Sequence, residues 1–239
     1  MTLQIIDRPS PNFGTRRAGA AIDMLVLHYT GMANAAAALD RLCDPQAQVS
    51  AHYLIDEDGL AFRLVDEQYR AWHAGVACWA GECDVNSRSI GIELANPGHE
   101  FGYRPFPDRQ MATLIELAHG ILARHPIPPH RVLGHSDVAP ARKIDPGEKF
   151  DWRRLAAAGI GIWPEADAET LTEPDVAAVQ RDLAAFGYEI APSGKRDEQT
   201  TVIVLAFQRH FRPARCDGTV DAETARLASA LTEALPALT

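Results

Sequence analysis

The 239-residue chain is notable first for the chemistry it does not carry. It has no glycine-rich phosphate loop, no serine-centred elbow and no pair of histidines spaced along one helix face. Ser136 adjoins His135, but nothing supplies the rest of a serine triad. The four cysteines, Cys43, Cys78, Cys83 and Cys216, include no Cys-x-x-Cys pair, which excludes a zinc ribbon. Cys78 and Cys83 could bridge a short loop in an oxidising compartment; free, partly buried thiols are the plainer reading. A basic surplus is also missing. Residues 166–239 hold seven Lys/Arg against twelve Asp/Glu, and the rest of the chain holds sixteen against twenty. Neither part has the electrostatic footprint of a nucleic-acid binder. No apolar run reaches the length of a bilayer span. The start, Met1-Thr-Leu-Gln-Ile-Ile-Asp-Arg-Pro9, lacks a basic region, a long apolar stretch and a small-residue cleavage site. The expectation is a cytoplasmic protein if Met1 is the native start, and an envelope or periplasmic one if the chain is a processed form.

What is present is a hydrophobic content of 46%, enough for one large core and a small second one. Residues 1–20 read as an extended lead-in. Ile22–Tyr29 is a buried-type strand, and the alanine-rich Ala33–Cys43 is a helix ended by Asp44-Pro45. Val49–Ile55 and Leu60–Val65, around the turn Asp56-Glu-Asp-Gly59, read as a hairpin. The loop Ala71–Cys83 is long, and its two tryptophans argue against disorder. Ser89–Ala95 is another strand. Pro107–His125 is the clearest helix, with Met111, Leu114, Ala118 and Ile121 on one face. A strand over 131–134 and a helix over 151–158 follow. The polar stretch 163–170 marks a boundary between domains at 1–165 and 166–239. Beyond it, helices over 175–186, 199–211 and 221–235 make a small independent bundle. The predicted fold is α/β, a mixed central sheet flanked by helices, with a second all-α three-helix domain.

Chemistry collects at strand ends. Arg131-Val-Leu-Gly134 delivers His135 to a loop in which Pro140, Pro146 and Gly147 forbid long helices, so His135, Lys143 and Asp145 share one irregular segment. Met24-Leu-Val-Leu-His28 ends in a second histidine. Two imidazoles and a carboxylate are typical ligands of a catalytic zinc, which keeps a fourth position for water. His28, His135 and Asp145 are therefore the candidate metal ligands; the alternative for each is a hydrogen-bonded residue of core or surface. Alternation in Ser89–Ala95 puts Ile90, Ile92 and Leu94 on one face and Gly91, Glu93 and Ala95 on the other. Glu93 is then either the floor of a cleft, where it could take a proton from a metal-bound water, or a residue of an exposed sheet face. Lys143, two residues before Asp145, could stabilise an oxyanion or simply be solvated. Arg142 points the other way and is given no chemistry. His52, Trp72, His73 and Trp79 are candidates for the cleft wall, with core packing the alternative for each tryptophan. His52 could also be an outer partner of a ligand.

Five ordered motifs add a resemblance: Leu27-His-Tyr-Thr30, Ser50-Ala-His-Tyr-Leu-Ile55, Ala71-Trp-His-Ala-Gly75, Ser89-Ile-Gly-Ile-Glu-Leu94 and Gly134-His-Ser-Asp137 with Arg142-Lys-Ile-Asp-Pro-Gly147. Over residues 20–155 the chain resembles zinc N-acetylmuramoyl-L-alanine amidases of the AmpD/AmiD type, whose fold is shared with peptidoglycan-recognition proteins. The resemblance implies one zinc ion on His28, His135 and Asp145, Glu93 as general base and Lys143 as oxyanion stabiliser. It implies a peptidoglycan or muropeptide substrate, cut between N-acetylmuramic acid and L-alanine. Val179-Gln-Arg-Asp-Leu183, Gly187-Tyr188, Ala206-Phe-Gln208 and Asp217-Gly-Thr-Val-Asp221 resemble a peptidoglycan-binding module. Competing readings are a muropeptide-binding protein of the same fold that does not cut, and a zinc peptidase acting within the stem peptide.

Overall fold

The computed structural model describes residues 3–165 and 173–235, so the expected boundary at 163–170 falls largely outside them. The chain enters through β1 (Ile5–Asp7), β2 (Phe13–Thr15) and β3 (Met24–Tyr29). Helix α1 (Ala35–Cys43) follows, then β4 (Tyr53–Ile55), β5 (Ala61–Arg63), β6 (Tyr69–Ala71), a single turn α2 (Val85–Arg88) and β7 (Ser89–Leu94). Another turn, α3 (Gly98–Phe101), leads to the long helix α4 (Asp108–Arg124). Next come β8 (Val132–Gly134), the turn α5 (His135–Val138) and α6 (Trp152–Ala157). Helices α7 (Val176–Phe186), α8 (Glu198–Phe211) and α9 (Ala222–Glu233) form the second part.

Six strands make one sheet in the order β1-β5-β4-β7-β3-β8, and all neighbours run parallel except the β4–β5 hairpin. Strand β3 lies between β7 and β8 and is covered on both faces, which is why its first four residues are an unbroken apolar run. Alternation divides it. Leu25 and Leu27 pack with Leu114 and Ile121 of α4. Met24 and Val26 share a cluster with Phe186 and Phe207 of the C-terminal helices. His28 continues that second face at the strand's end, beside Glu93 of β7.

The lead-in is not merely extended. β1 adds an edge strand to the sheet, and β2 pairs antiparallel with β6. These strands have three residues each and are largely exposed, so they carry no alternating apolar signal. Cys78 and Cys83 are paired as a disulfide, contrary to the free-thiol reading; their Cα atoms stand 4.0 Å apart. The loop that joins them is pinched by Trp79 N–H donating to the Glu82 carbonyl, which brings the two sulfurs together.

Each C-terminal helix starts at an aspartate that accepts a backbone N–H: Asp175 from Ala177, Asp197 from Thr200 and Asp221 from Thr224, each at 2.9 Å. Such caps contribute about 1 kcal/mol each. The three-helix part is present as expected, and it shares its core with the first part. Its apolar side merges with Met24, Val26, Trp79, Leu133 and Val138 into one buried cluster. Gly187 makes the close approach possible. It has φ +138°, and a Cβ there would lie 2.5 Å from the Trp79 ring.

Glu67 ties the end of α4 to the hairpin. It accepts hydrogen bonds from Arg124 at 2.7 Å, from the His125 ring at 2.7 Å and from the Tyr53 hydroxyl at 2.7 Å. Burial alone would raise its carboxyl, but these donors outweigh burial and bring it down to about 2. A depressed carboxyl contributes stability that is complete above the ordinary glutamate range and is lost as pH falls through the folded value. Glu67→Gln should therefore cost about 1–2 kcal/mol near pH 7, discounted for the exposure of Arg124. The gap to the parent should close as pH falls from about 4.5 to about 2. Thermal melts across that range check this, and a gap that widens toward acid would contradict it.

Candidate metal centre and active-site cleft

The register of the sheet builds the centre. Leu27 of β3 pairs with Gly134 of β8, so the next residue on each strand, His28 and His135, emerge side by side. His135 opens α5, a single helical turn where the sequence reading had only irregular loop; four residues are too few to show a helical period. The chain then turns back, with Ser136 N–H donating to the Asp145 carbonyl at 2.9 Å and Lys143 N–H to the Ala139 carbonyl at 3.0 Å. This return places Asp145 beside both rings. His28 Nδ1 lies 2.9 Å from His135 Nδ1, and Asp145 Oδ2 lies 3.1 Å from each. All three side chains are buried.

Neighbouring groups decide which ring nitrogens carry protons. The Ser89 hydroxyl, 2.7 Å from the Val85 carbonyl, donates to it. Ser89 Oγ then accepts from His73 Nε2–H at 3.0 Å. His73 Nδ1 is left to accept from His28 Nε2–H at 3.0 Å. His135 Nε2–H donates to the Ala74 carbonyl, also at 3.0 Å. Both Nδ1 atoms are therefore lone pairs, and they face each other and a carboxylate oxygen. Three such donors repel unless a cation lies among them, so the donor set fits a divalent metal. Burial, and then His135, push the His28 imidazole down to about 4, which keeps it neutral and able to ligate. Burial would raise Asp145, but the two imidazoles hold it well below the usual carboxylate range.

His135 and Asp145 line a cleft of about 610 Å³. Glu93 and Lys143 line the same space, as do Trp72 and His73. Glu93 is on the cleft side of the sheet, and its Oε2 is buried without a hydrogen-bond partner. Burial, then the nearby Asp145 carboxylate, push Glu93 up to about 8, while Lys143 opposes the rise. Lys143 forms no ion pair among the described residues. His73 is more than wall: it is the outer partner of His28, the role considered for His52.

Two wall candidates lie elsewhere. His52 is wholly buried beneath the strands, where its Nδ1 accepts from Gly91 N–H at 2.9 Å. Trp79 is wholly buried against Phe186 and Tyr188, with ring centroids 5.6 and 4.8 Å away, because the pinched disulfide loop turns it toward the C-terminal helices. Sequence reasoning missed Tyr29 and His99, which line the cleft 3.0 Å apart. It also missed Ser89, although Ser89 falls on the same alternating face as Gly91 and Glu93. Arg142, given no chemistry, clasps the Val76 carbonyl with its Nε at 3.0 Å.

Residues 18–148 match the family model for N-acetylmuramoyl-L-alanine amidase, and residues 172–227 match that of a peptidoglycan binding domain. The chain is 40% identical to the N-acetylmuramoyl-L-alanine amidase AmiD of Escherichia coli K12, over 96% of this chain and 90% of that one. It is 37% identical to the 1,6-anhydro-N-acetylmuramyl-L-alanine amidase AmpD of Haemophilus influenzae, over 62% of this chain and 89% of that one. Among solved structures, AmiD from E. coli in complex with anhydro-N-acetylmuramic acid-L-Ala-D-gamma-Glu-L-Lys superposes with a TM-score of 0.80 at 39% identity, covering 91% of this chain and 92% of that one. AmpDh3 from Pseudomonas aeruginosa superposes with a TM-score of 0.81 at 36% identity, covering 92% and 96%. A cleft at the rim of a mixed sheet, with three side chains placed to hold a metal ion, agrees with an amidohydrolase class. The chain belongs to the N-acetylmuramoyl-L-alanine amidase family, in the two-part form that carries a peptidoglycan-binding domain.

Ser89→Ala removes the group that orients His73 and frees that ring to present the wrong nitrogen to His28. Metal affinity should fall about tenfold with the fold retained. Competition against a chelator, read beside a far-ultraviolet spectrum, measures this; equal affinity would show that Ser89 does not set the ligand.

Proposed function

We propose that the protein hydrolyses the amide between N-acetylmuramic acid, or its 1,6-anhydro form, and the L-alanine of the peptidoglycan stem peptide, with one zinc ion held by His28, His135 and Asp145. The observation that carries this reading is the convergence of three unprotonated donor atoms, an unpartnered carboxylate and a lysine on one cleft. Zinc is favoured by the donors themselves: two imidazoles and one carboxylate around a tetrahedral ion stand about 3.3 Å apart, close to the spacing seen.

When bound, zinc supplies an acidified water and polarises the scissile carbonyl. The protein's own groups do the rest. Glu93, on the cleft floor beside the three ligands, takes a proton from the attacking water in its ionised form, which a nearby dication favours, and returns it to the leaving alanine amine. Its free Oε2 leaves room for that transfer. Lys143, which lines the cleft and has no ion pair among the described residues, neutralises charge that develops on the carbonyl oxygen. Trp72 offers a flat apolar surface for a sugar ring. Helices α7 to α9 hold the enzyme to the wall polymer.

Glu93→Ala should keep its zinc by elemental analysis and lose about 10²- to 10⁴-fold in turnover. Mass analysis of products from a defined muropeptide should give free sugar and intact peptide, with a chelator abolishing both. Cuts within the peptide would favour a stem peptidase instead, and binding without any cut would favour a recognition protein.

The Cys78–Cys83 pairing supports an envelope location, since such bonds persist in oxidising compartments. Fractionation of cells with thiol labelling should find the protein outside the cytoplasm with these two sulfurs unreactive; a cytoplasmic, fully labelled protein would reject that location.

A further inference from the structure

We propose that the C-terminal helices are a working part of the metal centre, because Tyr188 and His210 fix the Asp137 carboxylate and, through it, the turn that presents His135. Asp137 is buried, and its two oxygens accept three hydrogen bonds. One comes from Gly134 N–H at 2.7 Å, which closes the turn at the end of β8. The others come from far along the chain: Tyr188 hydroxyl at 2.6 Å and His210 Nδ1 at 2.7 Å. His135 stands between Gly134 and Asp137 on that turn. A buried carboxylate deprived of two of its three donors is costly and must move or seek water. Moving it releases Gly134 N–H and the turn that aims the imidazole.

The segment that follows α7 also braces the loop that carries Trp79. Ala80 N–H donates to the Gly187 carbonyl at 2.8 Å, and Gly81 N–H to the Glu189 carboxylate at 3.0 Å. Trp79 fills the gap between Phe186 and Tyr188. The loop held in this way supplies the Ala74 carbonyl to His135 and the His73 ring to His28. His210 is itself fixed by stacking on Trp152 of the catalytic part, with ring centroids 3.6 Å apart. Both imidazole ligands are thus oriented by segments that rest on the second domain, and Tyr188 and His210 are positioning residues.

This inference rests on the metal reading proposed above, and the test separates the two. In the full chain, Tyr188→Phe and His210→Phe remove the donors while keeping ring volume. Zinc affinity is measured by chelator competition, and the visible spectrum of the cobalt-substituted protein reports ligand geometry. The double variant should hold zinc about tenfold more weakly and show an altered cobalt spectrum. On a soluble muropeptide kcat should fall with KM little changed, since neither residue lines the cleft. His210→Asn, which can keep a donor near the Nδ1 position, should recover most of the loss. Should the double variant not fold, Tyr188→Phe alone carries the same measurements. Unchanged affinity and spectrum in the variants, beside a parent that binds zinc, would overturn the coupling alone. A parent that binds neither zinc nor cobalt would overturn the metal reading and this inference with it.

Discussion

Electrostatic repulsion among three donor atoms is the constraint on which the structure turns. Two ring nitrogens and one carboxylate oxygen are held within about three ångströms of each other, all with lone pairs pointing inward. Nothing in a folded chain tolerates this without support. The support is visible in every direction outward: His73 and Ser89 behind one ring, the Ala74 carbonyl behind the other, and the backbone return from Ser136 to Asp145. The parallel pairing of β3 with β7 and β8 sets the origin of each of these side chains. The sheet is therefore best understood as the frame that holds an electrostatically unfavourable cluster in place, one whose charge and geometry fit a cation.

Much of this was legible in the residues. The unbroken run Met24–Leu27 announced a strand buried on both faces, and the alternation in Ser89–Leu94 put Glu93 on the side it occupies. His28 and His135 follow from their places at strand ends and Asp145 from the loop just after, and the three come together. What was not legible depended on pairing that no local pattern encodes. The strands β1, β2 and β6 have three residues each, too few to show a period, and their pairing partners lie far along the chain. Trp79 looked like a cleft wall because it sits in the same loop as Trp72 and His73. The short disulfide-closed turn Cys78–Cys83, beyond the reach of periodicity, sends it the other way. The sequence offers His52 as an outer partner of a ligand, whereas His73 fills that role for His28; only the folding of separate segments distinguishes them.

The two parts of the chain also differ from the picture of a catalyst with a tethered anchor. Trp79, Val138 and Leu133 of the first part and Phe186, Phe207 and Phe211 of the second belong to one apolar cluster. Polar contacts follow the same seam, with Asp137 at its centre. A helix bundle whose own core is completed by the face of the sheet that carries His28 is held against the catalytic part by a shared apolar cluster, so the cleft and the C-terminal helices keep one mutual geometry.

Gly91 shows how tightly such a frame binds its residues to one another. A Cβ at that position would lie 2.4 Å from the His73 ring, so the imidazole occupies the volume that a side chain on β7 would otherwise fill. A larger residue at 91 would therefore need a smaller group at 73, and that exchange would also take away the ring that accepts from His28 Nε2–H and so redraw the protonation pattern around the ligand.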